Sequence, residues 1–306
     1  MANVHVLGSL NVDHPMRVAR HPTVGETVRG EALAVTPGGK GLNQAVAAAA
    51  LAPRAGAVHL HGTVGADEAG RWLMAFAAER GVRIDGVAVD PGRPTGSAWI
   101  TVADDGANVV IVDSGANRAT SFGAHAVPLT EKDVVAAQLE VPEVAVASLL
   151  QAARAAGARS VFNPSPVGIG RELAAEASIV VLNEGELSEL SGWAFAGGRH
   201  LETVRRSADS VRHGNQTVVV TLGSDGAVAV GPNGVDVVAG IDVGVVDTTG
   251  AGDCFLGVLA ASLAANLPLP DALGRANRAA ARSVTRPGAA DAMPGSDEID
   301  CGLFGH

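Results

Sequence analysis

The run Val246-Asp247-Thr248-Thr249-Gly250-Ala251-Gly252-Asp253-Cys254-Phe255 holds the residues best arranged for chemistry. A β-like stretch, Gly240–Val246, ends in two threonines, and an Ala/Leu-rich stretch continues past Asp253 to about Ala265. That order sets the backbone N–H groups of Gly250, Ala251 and Gly252 at a helix N-terminus. Free amides and the helix dipole there attract an anion. A carboxylate at the mouth of such a site would repel a bound phosphate unless it had a task. Deprotonating a hydroxyl that attacks the phosphate is a task that uses both groups.

Other polar clusters follow short apolar runs. Asn11 and Asp13 come directly after Val4–Leu7, where an amide and a carboxylate can bracket sugar hydroxyls or simply cap a turn. Gly38-Gly39-Lys40-Gly41-Leu42-Asn43-Gln44 lacks the upstream glycine of G-x-x-x-x-G-K-[ST], so it is not a Walker loop. It remains a flexible loop opening a helix, with Lys40 and Asn43 near the start, where glycines allow close approach of a ligand. Gly250-Ala251-Gly252 is no dinucleotide fingerprint, because Phe255 stands at the third glycine position. Asn183-Glu184-Gly185-Glu186 could hold Mg²⁺ through its oxygens, or could stabilise a helix dipole. Thr221-Leu222-Gly223-Ser224-Asp225-Gly226 suits a nucleotide phosphate or ribose and equally a tight turn. Cys254 reads as a buried filler, and His5, His59 and His61 as packing or surface residues.

The elements that position these groups alternate short apolar runs with Ala-rich helical segments. Strands are expected at Val4–Leu7, Val58–Gly62, Val134–Gln138, Ser160–Asn163, Ile179–Asn183 and Thr217–Leu222. Helices are expected at Leu42–Leu51, Asp67–Arg80, Glu143–Ala156, Glu172–Ala177, Glu184–Leu190 and Leu201–His213, with Trp72, Leu73 and Phe76 on one face. Asp104-Asp105-Gly106 signals a hairpin between Ala98–Val102 and Val109–Val112, and Ala227–Val230 pairs with Val235–Val238. Alternation of this kind gives an α/β fold with a mostly parallel sheet covered on both faces. Ligands in such sheets sit at the carboxyl ends of the strands. Residues of about 13–35 and 95–115 lack long helices and read as β-ribbons that pair beside the main body. No linker or repeat divides the 306 residues, so one domain with a small β appendage is expected.

A net charge of −10 argues against coating nucleic acid, which needs clustered Lys and Arg. Cys254 and Cys301 show neither metal spacing nor a disulfide framework. The start has no basic leader and Gln44–Ala52 is too short to cross a bilayer. A cytoplasmic protein that binds no membrane is expected.

Together these motifs resemble the ribokinase (PfkB-type) family of carbohydrate kinases nearly end to end. Val6–His14 resembles the family's start and Pro22–Val28 its lid segment. Gly38–Ala45 resembles the first signature and Asp247–Asp253 the second, with Gln138-Leu139-Glu140 and Asn163-Pro164-Ser165-Pro166 between them. The resemblance implies a three-layer α/β/α sandwich spanning 1–306, in which 13–35 and 95–115 form a β-sheet lid and a homodimer contact. It implies transfer of the γ-phosphoryl of ATP to the 5-hydroxyl of D-ribose. Asp253 would be the base, and Gly250, Ala251 and Gly252 the anion hole. Asn11, Asp13, Gly39, Lys40, Asn43 and Glu140 would hold the sugar. Thr221, Gly223, Ser224, Gly226, Gly252 and Asn277 would lie along ATP, and Asn183 and Glu186 would govern Mg²⁺ indirectly. An activating K⁺ would sit near Asp247, Thr249, Ser283, Arg286 and Gly288, largely on backbone carbonyls. The chain departs from the family after Gly288, where Ala289-Ala290-Asp291-Ala292 lacks the serine often found there. Pro53 interrupts a stretch that usually continues as a Gly-rich loop. Related readings are a kinase for adenosine, another nucleoside, deoxyribose or fructose, and a non-catalytic sugar-sensing regulator. Both the base and the anion-hole glycines are intact, which disfavours the regulator.

Overall fold

The computed structural model describes residues 2–52, 54–123, 128–167, 171–193 and 201–300. Pro53 and Cys301 lie outside the described residues. In chain order the first half comprises β1 (Val4–Leu7), β2 (Asn11–Val18), β3 (Gly30–Ala32), β4 (Thr36–Gly38), α1 (Lys40–Leu51), β5 (Val58–Gly65), α2 (Glu68–Glu79), β6 (Val82–Asp90), β7 (Gly96–Ala103) and β8 (Asn108–Asp113). The second half comprises β9 (Val134–Gln138), α3 (Glu143–Ala156), β10 (Arg159–Asn163), β11 (Ile179–Asn183), α4 (Glu184–Ser191), α5 (Leu201–Val211), β12 (Thr217–Thr221), β13 (Gly226–Gly231), β14 (Gly234–Ala239), α6 (Ala251–Ala264), α7 (Leu269–Ser283) and α8 (Ser296–Asp300).

Nine strands form the main sheet in the order β14-β13-β12-β11-β10-β9-β1-β5-β6. Seven run parallel, and β13 and β14 close one edge antiparallel. Central strands such as Val218–Val220 are buried on both faces, which is why they read as unbroken apolar runs. Val4 and Val6 of β1 pack with α1, α2, α6 and α7, whereas Leu7 packs with α3, α4 and α5 on the opposite face. Helix α6 is buried from Asp253 through Ala264, as expected of a helix apolar all round.

Backbone-to-backbone contacts set the site's spacing. A Cβ on Gly41 would lie 2.5 Å from the carbonyl carbon of Gly8, so α1 starts directly against the end of β1. A Cβ on Gly257 would lie 2.9 Å from Ala47 Cβ and 3.1 Å from Ala48 N, which makes α1 and α6 cross closely.

The second sheet runs β3-β2-β7-β8, with β4 on β2, and comes from the two segments where ribbons are expected. The β7–β8 turn at Asp104–Gly106 bends at Gly106, whose φ of 85° suits glycine. In the main sheet, His5 of β1 and His59 and His61 of β5 form a buried stack, with ring centroids 4.8 and 5.5 Å from His5 and a 3.2 Å contact from His5 Nδ1 to His61 Nε2. Burial first, then the neighbouring imidazole, pushes His5 down to about 4 and His61 to about 3. No group of three His, Cys, Asp or Glu able to hold a metal occurs among the described residues.

Several expectations are corrected. Gly240–Val246 is not a strand: β14 already ends the sheet, and Gly240 N donates to Asp225 O while Val246 N donates to Val284 O. Trp72 is 38% exposed although Leu73 and Phe76 are buried, so only the latter two mark the packed face of α2. The segment at 171–176 winds as a 3-10 helix. β6 and α7 are elements that the sequence reading did not anticipate.

Candidate active site

Strand ends converge on α6. Asn11 and Asp13 lie where β1 continues through Gly8-Ser9-Leu10 into β2, and Glu140, Asn183 and Thr221 follow or end β9, β11 and β12. This is the carboxyl edge of the parallel sheet, where ligands collect.

Asp253 is the third residue of α6, behind the cap Gly250, whose φ of 74° favours glycine. A Cβ at Gly250 would also meet Ala289 Cβ at 3.1 Å. The amides of Gly252 and Asp253 lie in the first turn at the positive, anion-attracting end of the helix dipole, whereas Ala251 N donates to Thr248 O at 3.2 Å. The Asp253 carboxylate is 8% exposed and accepts at both oxygens: Asn43 Nδ2 donates to Oδ2 at 2.9 Å and Gln44 Nε2 to Oδ1 at 3.0 Å.

The other polar groups surround it. Gly39, with φ 92°, caps α1 where a Cβ would lie 2.8 Å from both Ser9 O and Asn11 N. Glu140 Oε2 accepts from Ser9 Oγ and from Lys40 N at 3.2 Å. The Asp253 carboxylate, with Glu140 and Glu186, raises the Lys40 ammonium above its ordinary value against the opposing effect of burial. Burial, then Glu140 and Asp253, pushes the Asp13 carboxyl up to about 7. Four carboxylates and one ammonium thus share a single electrostatic neighbourhood. Asn11 Oδ1 accepts from Asn117 Nδ2 at 2.8 Å, and Asn117 also binds both backbone groups of Leu10.

On the far side of the α6 N-terminus lies a cavity of about 570 Å³, within the usual range for ligand pockets. Thr221, Gly223, Ser224, Gly226, Gly252 and Asn277 line it, facing apolar walls that include Phe255 and Val245. A Cβ at Gly223 or Gly252 would meet nothing within 4 Å, so those glycines leave open space for a ligand. Asn277 Nδ2 donates to Ala239 O at 2.9 Å and pins the end of β14 to α7. Asn183 and Glu186 close a capping box on α4: Oδ1 of Asn183 accepts from Glu186 N, and Oε2 of Glu186 from Asn183 N, both at 2.8 Å. Glu186 Oε2 also accepts from Asn163 Nδ2 at 3.1 Å.

Behind Gly250, Asp247 Oδ1 accepts from Thr249 N and Oγ1, and Oδ2 from Gly288 N at 3.0 Å. Burial raises its carboxyl, but these hydrogen bonds outweigh burial and hold it below its ordinary value. Ser283 Oγ instead donates to Ala280 O, and Arg286 to Ala292 O and Glu298. Cys254 is buried, its thiol pushed up to about 12 by desolvation foremost, which makes it an unreactive filler.

The sequence reading assigned no role to Gln44, Ser9 or Asn117. Gln44 follows Asn43 in a stretch rich in small residues, and only the crossing of α1 with α6 gives it a partner. Asn117 meets Asn11 from 106 positions away, with no local signal.

A buried carboxylate in the first turn of a helix whose N-terminus borders a cavity, with no Walker lysine, marks a small-molecule phosphotransferase on an α/β scaffold. Residues 1–295 match the pfkB family carbohydrate kinase pattern. A ribokinase of Schizosaccharomyces pombe is 36% identical over 310 residues, covering 98% of this chain and 97% of its own. The crystal structure of ribokinase from Cryptococcus neoformans in complex with ADP superposes with TM-score 0.85 at 30% identity, over 98% of this chain and 99% of that one. The structure of Arabidopsis thaliana ribokinase complexed with ribose and ATP gives TM-score 0.83 at 28% identity, over 98% of both chains. The chain belongs to the pfkB family of carbohydrate kinases.

Proposed function

We propose that the chain transfers the γ-phosphoryl group of ATP to the 5-hydroxyl of D-ribose, giving ribose 5-phosphate and ADP. The observation that carries this reading is Asp253. Its carboxylate is fixed by two amides between the sugar-type cluster of Asn11, Asp13 and Lys40 and the cavity beyond the α6 N-terminus. Relatives matched over nearly their whole length include ribokinases, one of them complexed with ribose and ATP.

In this reading Asn11, Asp13, Gly39, Lys40, Asn43 and Glu140 hold the sugar, and Asp253 accepts the proton of its primary hydroxyl. The Gly250, Ala251 and Gly252 amides stabilise the charge that develops on the transferring group. Thr221, Gly223, Ser224, Gly226, Gly252 and Asn277 border the nucleotide, whose shape and size the open glycine-lined cavity fits. ATP supplies the phosphoryl group, and Mg²⁺ the countercharge on it. Glu186 and Asn183 serve Mg²⁺ through its waters, since their capping bonds already use Asn183 Oδ1 and Glu186 Oε2. K⁺ belongs near Asp247, Thr249, Ser283, Arg286 and Gly288. There the structure supports a role for loop carbonyls over the Ser283 and Arg286 side chains, which are turned to protein partners.

The second sheet acts as a lid over the sugar. Its edge strand β8 exposes Val109, Val110, Ile111 and Val112, and Trp99 is 54% exposed beside it, a surface suited to pairing with a second copy. A soluble cytoplasmic enzyme fits a chain in which no described helix is long and apolar enough to cross a membrane.

The test is ADP release with ribose, deoxyribose, fructose and adenosine, with and without K⁺, for the native protein and Asp253→Asn. Ribose is expected to be the preferred acceptor. The variant should lose about 10²–10⁴-fold in kcat, the usual contribution of a general base, while still binding ribose. Faster turnover on adenosine than on ribose, or near-native turnover by Asp253→Asn, would sink the proposal.

A further inference from the structure

We infer that Gln44 is a positioning residue for the phosphoryl-transfer step, holding one oxygen of the Asp253 carboxylate so that the other side of the group faces the acceptor hydroxyl. The inference rests on the reading of Asp253 as the base.

Asn43 and Gln44 are consecutive residues in the second turn of α1, and their amides reach the two different oxygens of one carboxylate at 2.9 and 3.0 Å. A carboxylate accepting a fixed donor at each oxygen cannot rotate about its terminal torsion without breaking one bond, so its remaining lone pairs keep a single direction. Orientation of this kind governs how often the reactive pair is aligned.

Gln44 is placed by backbone, not by its own side chain's freedom. It is fully buried, and its carbonyl oxygen lies against Gly257 at the α1–α6 crossing, one turn beyond Asp253. The helices therefore carry donor and acceptor in fixed register. The far end of the side chain shows that packing alone does not account for it: Gln44 Oε1 is buried without a hydrogen-bond partner, as is Asn43 Oδ1. A buried orphan acceptor costs stability. An apolar side chain of equal length would fill the space without that cost, so the amide's useful atom is the one that meets Asp253.

The charged and titratable groups around Asp253 come from several elements: Lys40 from α1, Asp13 from β2, Glu140 after β9, and Cys254 from α6 itself. Glu186 acts on Lys40 and Arg286 on Cys254. Gln44 is an uncharged donor to Asp253, and its removal takes away a bond to the ionised carboxylate. Loss of such a bond disfavours the ionised form and moves the acid limb of kcat to higher pH.

The experiment compares native protein, Gln44→Met, Gln44→Asn and Asp253→Asn at saturating sugar and ATP across pH, with thermal unfolding of each. Gln44→Met keeps the length and removes the donor. We expect kcat to fall about 10- to 100-fold, KM for ribose to stay within about twofold, and the acid limb of kcat to rise by roughly one pH unit. Relief of the orphan Oε1 and loss of the bond to Asp253 act on stability in opposite directions, so its melting temperature should stay close to the native value. Saturating sugar keeps Asp13 liganded, so the limb of kcat reports the ternary complex. Should Gln44→Met fail to fold, Gln44→Asn retracts the amide by one methylene and carries the same test. A folded Gln44 variant with native kcat and an unmoved limb overturns the inference, as does a loss of kcat with an unmoved limb and a lowered melting temperature. Near-native turnover by Asp253→Asn overturns the base reading instead. Loss in Asp253→Asn together with native behaviour in Gln44→Met overturns only the role of Gln44.

Discussion

Asp13→Asn should make the sugar-free protein more stable above neutral pH, at the expense of sugar affinity. Asp13 is 8% exposed on β2, with Glu140 and Asp253 nearby, and burial and these two carboxylates lift it from an ordinary 3.8 to about 7. A folded value above the unfolded one means that the folded state holds its proton more tightly. The associated stability is complete below about 3.8 and is lost as pH rises through about 7. About three pH units separate the two values, and at 1.36 kcal/mol for each the loss is about 4 kcal/mol. The asparagine removes that pH-dependent loss but still has to bury an amide, which costs about 1–3 kcal/mol if imperfectly paired. A net gain of about 1–3 kcal/mol is therefore expected at alkaline pH, shrinking to nothing or reversing in acid. Urea unfolding of both proteins across this range, without sugar, measures the difference directly. Titrating groups that do not face Asp13 cancel in that difference, whereas Glu140 and Asp253, relieved of a neighbouring charge, add to the gain of the variant. Calorimetry with ribose should show weaker binding by the variant. A stability difference that does not change with pH, or one that favours the native protein at alkaline pH, would refute the reasoning.

Two further outcomes follow from packing. His5 and His61 are held neutral by burial, so their contribution to native stability should be lost as pH drops below about 6.5, against the opposing gain from Asp13. The contribution of His5 alone is roughly 3 kcal/mol by the time its folded value of about 4 is reached. His61→Phe should flatten that acid limb in chemical denaturation, and an unchanged slope would count against the buried neutral stack. Gly257→Ala should cost about 1–3 kcal/mol through overpacking, because its Cβ would press on Ala47 and the α1 backbone. Calorimetric unfolding gives the cost, and the same displacement of α6 against α1 should lower kcat.

The fold was legible wherever one run of residues decides an element. Val134–Gln138, Glu143–Ala156 and Ile179–Asn183 carry unbroken apolar or helical patterns, and they form as read. β6 was hidden because Val82–Asp90 mixes charges and a glycine into an edge strand whose pairing with β5 slips between His59 and His61. α7 was missed because its arginines and Gly274 mask the buried series Ala272, Leu273, Ala276 and Ala279. Gly240–Val246 has strand-like valines but no sheet edge left to join, so it runs as a loop along the cavity wall. At the candidate site, the glycines and Asp253 declare themselves by type and spacing. Gln44 and Asn117 do not, because their partners stand 209 and 106 residues away and exist only once helices and sheets have packed.

Gly8, Gly41 and Gly257 make the centre of this molecule a seam in which main chain lies against main chain. A seam without side chains offers no small adjustments: one added methyl moves a helix. Attempts to redirect the protein toward other acceptors should leave that seam untouched and diversify β2, whose Asn11 and Asp13 reach the candidate site through replaceable side chains. The architecture separates a part that fixes the reaction from a part that can change what is reacted upon.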